Sequence, residues 1–256
     1  MSGKKALVLY GGWVGHAPAE ISYFFKEKLE ELDFKVYISD DLDILLDNEI
    51  LSKIDLIIMQ WTGGRLTDKQ LESIIRSVGS GTGLAGCHGF CGSFAENFDW
   101  SFITGGQFVA HPGGLENKFT VKIVDKNNPI MKGVSDFSTI DEQYYMLVDP
   151  GVKVLATTRF PPLNKRNIND QDVLLPEFLK LDKERHGNWN TDIRAALYGP
   201  HINNCPVDMP AIWTKCFGNG RVFFNSLGHD LGKLKEEPSL TITLRGFLWA
   251  SNEKII

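Results

Sequence analysis

Six histidines are spread through the 256 residues, and four of them sit in short turns rich in small residues. His16 closes the segment Gly11-Gly12-Trp13-Val14-Gly15-His16. His88 lies in Gly86-Cys87-His88-Gly89, His111 in Ala110-His111-Pro112-Gly113-Gly114, and His229 in Leu227-Gly228-His229-Asp230. A carboxylate of the same character, Glu142, stands in Asp141-Glu142-Gln143-Tyr144. Imidazole titrates near neutrality, so His88, His111 and His229 suit proton transfer at cellular pH, with Glu142 or Asp141 orienting one ring. The same residue types, His16, His88, His111, Glu142 and His229, also make an acceptable shell for a divalent metal such as Zn or Mn, which would activate a bound water. No HxH or HExxH spacing singles out the metal option, and any one of these histidines taken alone can be a turn residue making a local hydrogen bond.

Convergence depends on the elements that carry these residues. Ala6–Tyr10, Ile54–Met59 and Gly83–His88 are continuous apolar runs, as expected of strands buried on both faces. Phe34–Ile38 reads as a further strand. Between them, Pro18–Leu32 places Ile21, Phe24, Phe25, Leu29 and Leu32 on one helical stripe, and Asp68–Val78 reads as a helix capped by Thr67. This alternation predicts a doubly wound α/β fold with a mostly parallel sheet. In such a sheet ligands bind outside the carboxyl ends of the strands, where His16, His88 and His229 are expected. Phe119–Val124 and Val152–Thr157 read as strands, and Glu142 falls in the connection before the second of these. Ala211–Phe217 and Arg221–Ser226, joined by Gly218-Asn219-Gly220, read as a hairpin. Leu240–Ala250 reads as a closing helix with Leu240, Leu244, Phe247 and Leu248 on one face. The reading is one domain over residues 1–256, with a loop-rich insertion at about 159–209.

Composition excludes several function classes. A formal charge of −5 disfavours a nucleic-acid reader. No apolar run reaches the length of a membrane span, and Ala6–Tyr10 is too short for a secretory leader. Four cysteines, Cys87, Cys91, Cys205 and Cys216, form neither a CxxC pair nor a zinc-finger pattern, which fits free thiols in the cytoplasm.

The turn at His88 looks like a strand-to-helix elbow that lifts one side chain over the sheet edge, with helix N–H groups available to an anion. Gly81–Gly86 matches GxGxxG but leads into a strand instead of following one, so dinucleotide binding is not indicated. Cys87 adjoins His88, yet neighbours in a turn point apart, and burial is the expected fate of Cys87 and Cys91. Trp61, Trp100, Trp189 and Trp213 read as core, and Trp13 and Trp61, which follow strands, could also wall a sugar ring. His186 and His201 lie in the polar insertion and read as solvated.

The opening Tyr10-Gly11-Gly12 to His16 segment is followed by the elbow and by Gly105-Gly106-Gln107-Phe108 running to His111-Pro112. Asp141-Glu142-Gln143-Tyr144 comes next, then Gly220-Arg221-Val222-Phe223 running to Gly228-His229. This ordered set, over roughly residues 4–252, resembles the ThuA-like (trehalose utilisation) family. The resemblance implies a flavodoxin-like fold similar to class I glutamine amidotransferases. Their nucleophile elbow is Gly-x-Cys-x-Gly, and here His88 occupies the cysteine position. Leu231 stands where a carboxylate would follow the catalytic histidine, here His229. Amidotransferase activity is therefore not expected. The resemblance implies action on trehalose or a related sugar, and so a small carbohydrate as partner. The options are histidine acid–base or metal-assisted chemistry on a sugar derivative, such as an oxidised disaccharide, a non-catalytic sugar-binding or regulatory module, and a Cys87 hydrolase. A homo-oligomer is compatible with the sequence.

Overall fold

The computed structural model describes residues 3–111, 114–160 and 206–255. Its centre is a nine-stranded sheet in the order β2-β1-β3-β4-β11-β10-β9-β6-β7. The parallel part comprises β1 (Lys5–Gly12), β2 (Lys35–Ser39), β3 (Leu56–Thr62), β4 (Gly83–Cys87) and β11 (Gly220–Asn225). From β11 outward the pairing is antiparallel, through β10 (Val207–Phe217), β9 (Lys153–Phe160), β6 (Lys118–Ile123) and β7 (Phe137–Ile140). A two-stranded antiparallel sheet of β5 (Gly106–Ala110) and β8 (Tyr145–Val148) is separate from it.

The apolar runs form central strands because both of their faces are covered. Ala6 and Val8 of β1 enter one core with Ile21, Phe25 and Leu29 of α1 (Pro18–Glu31) and Phe247 of the C-terminal helix. Leu7 and Leu9 point the opposite way, into a core with Ile74 and Val78 of α3 (Asp68–Ser80) and Trp100 of α4 (Phe98–Thr104). α2 (Asn48–Leu51) is a single turn before β3. Thr67 caps α3 as its sequence suggests, in a capping box with Gln70. Trp100 and Trp213 are fully buried.

Three sequence expectations are corrected. The elbow does not open an α-helix: His88–Gly92 is a five-residue 3-10 helix, with Phe90 folded back beneath Gly86. A piece this short supplies no helix N-terminus for an anion. Trp61 lies within β3 instead of after it. The C-terminal helix, α6 (Ser239–Ala250, preceded by the single turn α5, Leu231–Leu234), buries Ser239, Ile242, Thr243, Gly246, Phe247 and Ala250 as its main stripe. Leu248 is also buried, whereas Leu240 and Leu244 are only half-buried. The apolar pattern misplaces the face because Ser239 and Thr243 are buried polar partners of Asn225 on β11, at 3.3 and 3.0 Å. Gly246 sits at the closest approach, where a Cβ would lie 2.2 Å from the Phe223 ring. His186, His201, Trp189, Cys205 and most of the expected insertion lie outside the described residues.

Candidate functional site

Four adjacent parallel strands, β1, β3, β4 and β11, end on one edge of the sheet, and each delivers a residue there. β1 runs into a 3-10 turn, Val14–His16, that leaves His16 buried. β3 ends at Thr62, whose Oγ1 lies 2.7 Å from His16 Nδ1. β4 hands over directly to His88, which is fully buried and holds a φ of 46°. Residues other than glycine seldom hold this conformation, and it turns the ring over the strand end. His88 Nδ1 donates to the Ser226 carbonyl at 3.0 Å, which leaves Nε2 facing the site. Beyond β11, Asn225 accepts from Leu227 N at 3.1 Å, and Gly228 (φ 100°) bends the chain into His229.

The fourth member comes from the far side of the fold. After β7, at the outer edge of the sheet, the chain returns over the strand ends through Asp141–Tyr144, all buried. Asp141 fixes this return. Its carboxylate accepts from Glu142 N and from Gly228 N, both at 2.8 Å, and so ties the Glu142 segment to the His229 turn. Gln143 accepts from Asn117 at 3.0 Å and donates to the Arg159 carbonyl at 3.2 Å.

Glu142 Oε2 then lies 3.2 Å from His88 Nε2 and 3.5 Å from His229 Nδ1. His16, His88, Glu142 and His229 each offer a metal-ligating atom, and these atoms all lie within 4.8 Å of one another. The rings pack edge to face, with centroids 4.6 Å apart for His16–His88, 4.7 Å for His16–His229 and 5.2 Å for His88–His229. His111, which follows β5, stands beside this group and is not one of its four members. Its Nε2 is 3.8 Å from Glu142 Oε1, and its ring stacks on Phe108 at 5.8 Å. The sequence places Glu142 only before the Val152 strand; in the structure it precedes β8.

Burial, with His88 and His229 adding to it, holds the His16 imidazole well below its ordinary pKa, so this ring is neutral at pH 7. Burial pushes the Glu142 carboxyl up, but His229, His88 and His111 more than reverse this and hold it well below the usual carboxylate range. Burial likewise works against protonation of His229, and there the Glu142 carboxylate wins, raising its pKa. The site is thus a buried anion ringed by imidazoles. Despite the short distances, neither His88 Nε2 nor His229 Nδ1 has the geometry of a hydrogen bond to Glu142, and both atoms are buried. Ring nitrogens and carboxylate converge on shared space instead of pointing along N–H···O lines.

Several residues besides the candidate ligands and acid–base groups matter here. Thr62 orients His16, Tyr144 packs its ring 4.5 Å from that of His88, and Trp13 meets His16 edge-on at 4.6 Å. Trp13 was legible as a tryptophan after a strand. Thr62 had no signal beyond its place at a strand end. Cys87 is fully buried, its thiol donating to Gln60 at 3.4 Å, and burial pushes its pKa far up, so it is not a ready nucleophile. Arg65 is exposed beside Glu96 at 3.6 Å.

Fold and strand-end residues together define an α/β protein of the class I glutamine amidotransferase-like type whose elbow carries a histidine at its apex. The chain belongs to the ThuA family, described as trehalose utilisation, whose family model matches residues 5–250. It is similar to a ThuA-like protein from Bacteroides uniformis, at 20% identity over 96% of this chain and 91% of that one, with a TM-score of 0.65. A ThuA-like protein from Parabacteroides merdae gives 17% identity over 99% and 91%, with a TM-score of 0.67. A β-galactosidase from Bacillus circulans sp. alkalophilus shares the fold at a TM-score of 0.54 and 10% identity, over 98% of this chain but 32% of that one. No curated protein matches the sequence. Among the described residues, no helix is long and apolar enough to cross a membrane.

Proposed function

We propose that this trehalose-utilisation-type protein acts on a sugar or sugar derivative at a divalent-metal site made by His16, His88, Glu142 and His229. The observation that carries the reading is the convergence of three ring nitrogens and a carboxylate within 4.8 Å, with His88 Nε2 and His229 Nδ1 buried and off the line of a hydrogen bond. Ring nitrogens crowded around a carboxylate call for positive charge among them, which a proton on His229 supplies in part. A proton satisfies one N···O line, whereas Zn²⁺ or Mn²⁺ satisfies all four groups once they draw in to about 2.0–2.2 Å from it. The surroundings have the form of a metal's outer shell, with His88 Nδ1 held by the Ser226 carbonyl and His16 Nδ1 by Thr62.

Bound there, the ion would acidify a water or polarise a sugar oxygen. His111, next to Glu142 and outside the ligand group, is the residue placed to take or return the proton. The burial of Cys87 speaks against thioester chemistry on this scaffold.

Elemental analysis of the purified protein, followed by exhaustive chelation and re-addition of Zn or Mn, tests the reading. About one ion per chain is expected, with turnover of a sugar substrate lost on chelation, restored by the ion, and absent in His88→Ala and His229→Ala variants that still fold. Turnover that survives complete chelation would leave acid–base chemistry by the histidines alone. Saturable sugar binding without turnover would make the protein a non-catalytic sugar-binding module.

A further inference from the structure

A narrow pocket opens beside the cluster, lined by Trp13, Gly92, Phe108, His111, Glu142 and Tyr144 among others. It has room for about one water-sized group. Described residues hold the cluster from other sides. His88 is held against Ser226, His16 against Thr62, and the Asp141 carboxylate pins the Gly228 backbone behind His229.

Two glycines of the 3-10 helix after β4 line this pocket, and they differ in what demands them. At Gly89 a Cβ would lie 2.0 Å from Thr62 Oγ1 and 3.1 Å from His16 Nδ1, so packing around the His16–Thr62 contact requires glycine. At Gly92, among the described residues, a Cβ would meet only Phe108, at 3.7 and 4.0 Å, which is ordinary contact. Gly92 is also not among the glycines with a left-handed backbone. Among the described residues, packing and backbone conformation therefore give no reason for glycine at position 92, while the pocket does.

We infer that this pocket is the open coordination position of the proposed metal site, and that Gly92 sets the size of what enters. A single oxygen function, a water or one hydroxyl or carbonyl of a sugar, reaches the ion between Gly92 and His111. The bulk of the substrate stays outside, toward Trp13. This inference rests on the metal reading above and adds to it the face from which the ion is approached.

Cobalt(II)-loaded protein with azide as the probe separates the two. Wild-type protein is expected to show cobalt d–d bands that shift on azide addition. Gly92→Val is expected to bind cobalt with unchanged affinity and to bind azide at least tenfold more weakly. Gly92→Ala should fall between them, and it serves in place of Gly92→Val if the larger side chain impairs folding by circular dichroism. Cobalt-loaded variants that bind azide as tightly as wild type would overturn the inference while leaving the metal site standing. Wild-type protein that takes up no cobalt would remove the metal reading, and this inference with it.

Discussion

Replacing Thr62 with valine tests whether the strand-end cluster is organised as a metal site, because the sign of the effect depends on which way one proton points. Thr62 is 7% exposed, and its hydroxyl lies 2.7 Å from His16 Nδ1. Its backbone is held independently, through the bond from Trp13 N to its carbonyl at 3.1 Å and through pairing with β1. The substitution therefore removes a hydroxyl with little change in shape. If His16 Nδ1–H donates to the hydroxyl, Nε2 presents a lone pair to the ion. Thr62→Val then leaves a buried N–H unsatisfied, at a cost of about 1–3 kcal/mol. Loss of such an outer partner typically weakens metal binding about 10–100-fold, or roughly 1.4–2.8 kcal/mol. Titration of Zn against a chromophoric chelator measures it, and Thr62→Ser, which keeps the hydroxyl, should stay near wild type. Unchanged or tighter binding in Thr62→Val would mean that the hydroxyl donates to Nδ1, that Nε2 carries the proton, and that His16 is not a ligand in the proposed sense.

Three further outcomes follow from other contacts. Asp141→Ala leaves the buried amides of Glu142 and Gly228 without their 2.8 Å partners and should destabilise the protein by roughly 2–5 kcal/mol in urea unfolding; a loss below 0.5 kcal/mol would show that water replaces the carboxylate. Cys87→Ala should leave sugar turnover intact, and intact native protein should resist thiol labelling at this position, since the side chain is fully buried; loss of turnover with folding preserved would bring the thiol back into the mechanism. Asp149 is held below its ordinary pKa first by Lys215 and then by the Gly151 amide, so its contribution is present above the unfolded-state carboxylate pKa and disappears as pH falls through the lower folded value. Thermal unfolding of Lys215→Met should therefore show a flatter acid limb than wild type, and a parallel limb would exclude the pair as the source.

The strands that carry the site were readable because they are buried on both faces. Ala6–Tyr10 and Gly83–Cys87 have no polar side to confuse their pattern. The helix face of α6 was not readable, since Ser239 and Thr243 are buried for hydrogen bonds to Asn225 and so break the apolar stripe. His16, His88 and His229 stood out because each follows a strand, and strand order then sets their distances. Glu142 was visible only as a carboxylate in a loop, because it reaches the site from the sheet's outer edge and nothing local to it encodes that path. Thr62 gave no warning: a threonine at a strand end becomes an imidazole's partner only when the turn after β1 folds over it.

By itself, the sequence determined which segments become parallel strands and that imidazoles would crown their ends, since burial on two faces and a change to glycine-rich turns are local properties of the chain. Only the tertiary structure decided that His16, His88 and His229 share one carboxylate while His111 stands to the side. Those outcomes turn on distances of a few ångströms between segments as far apart in the chain as His16 and His229, which the packing of the whole sheet fixes and no local pattern contains.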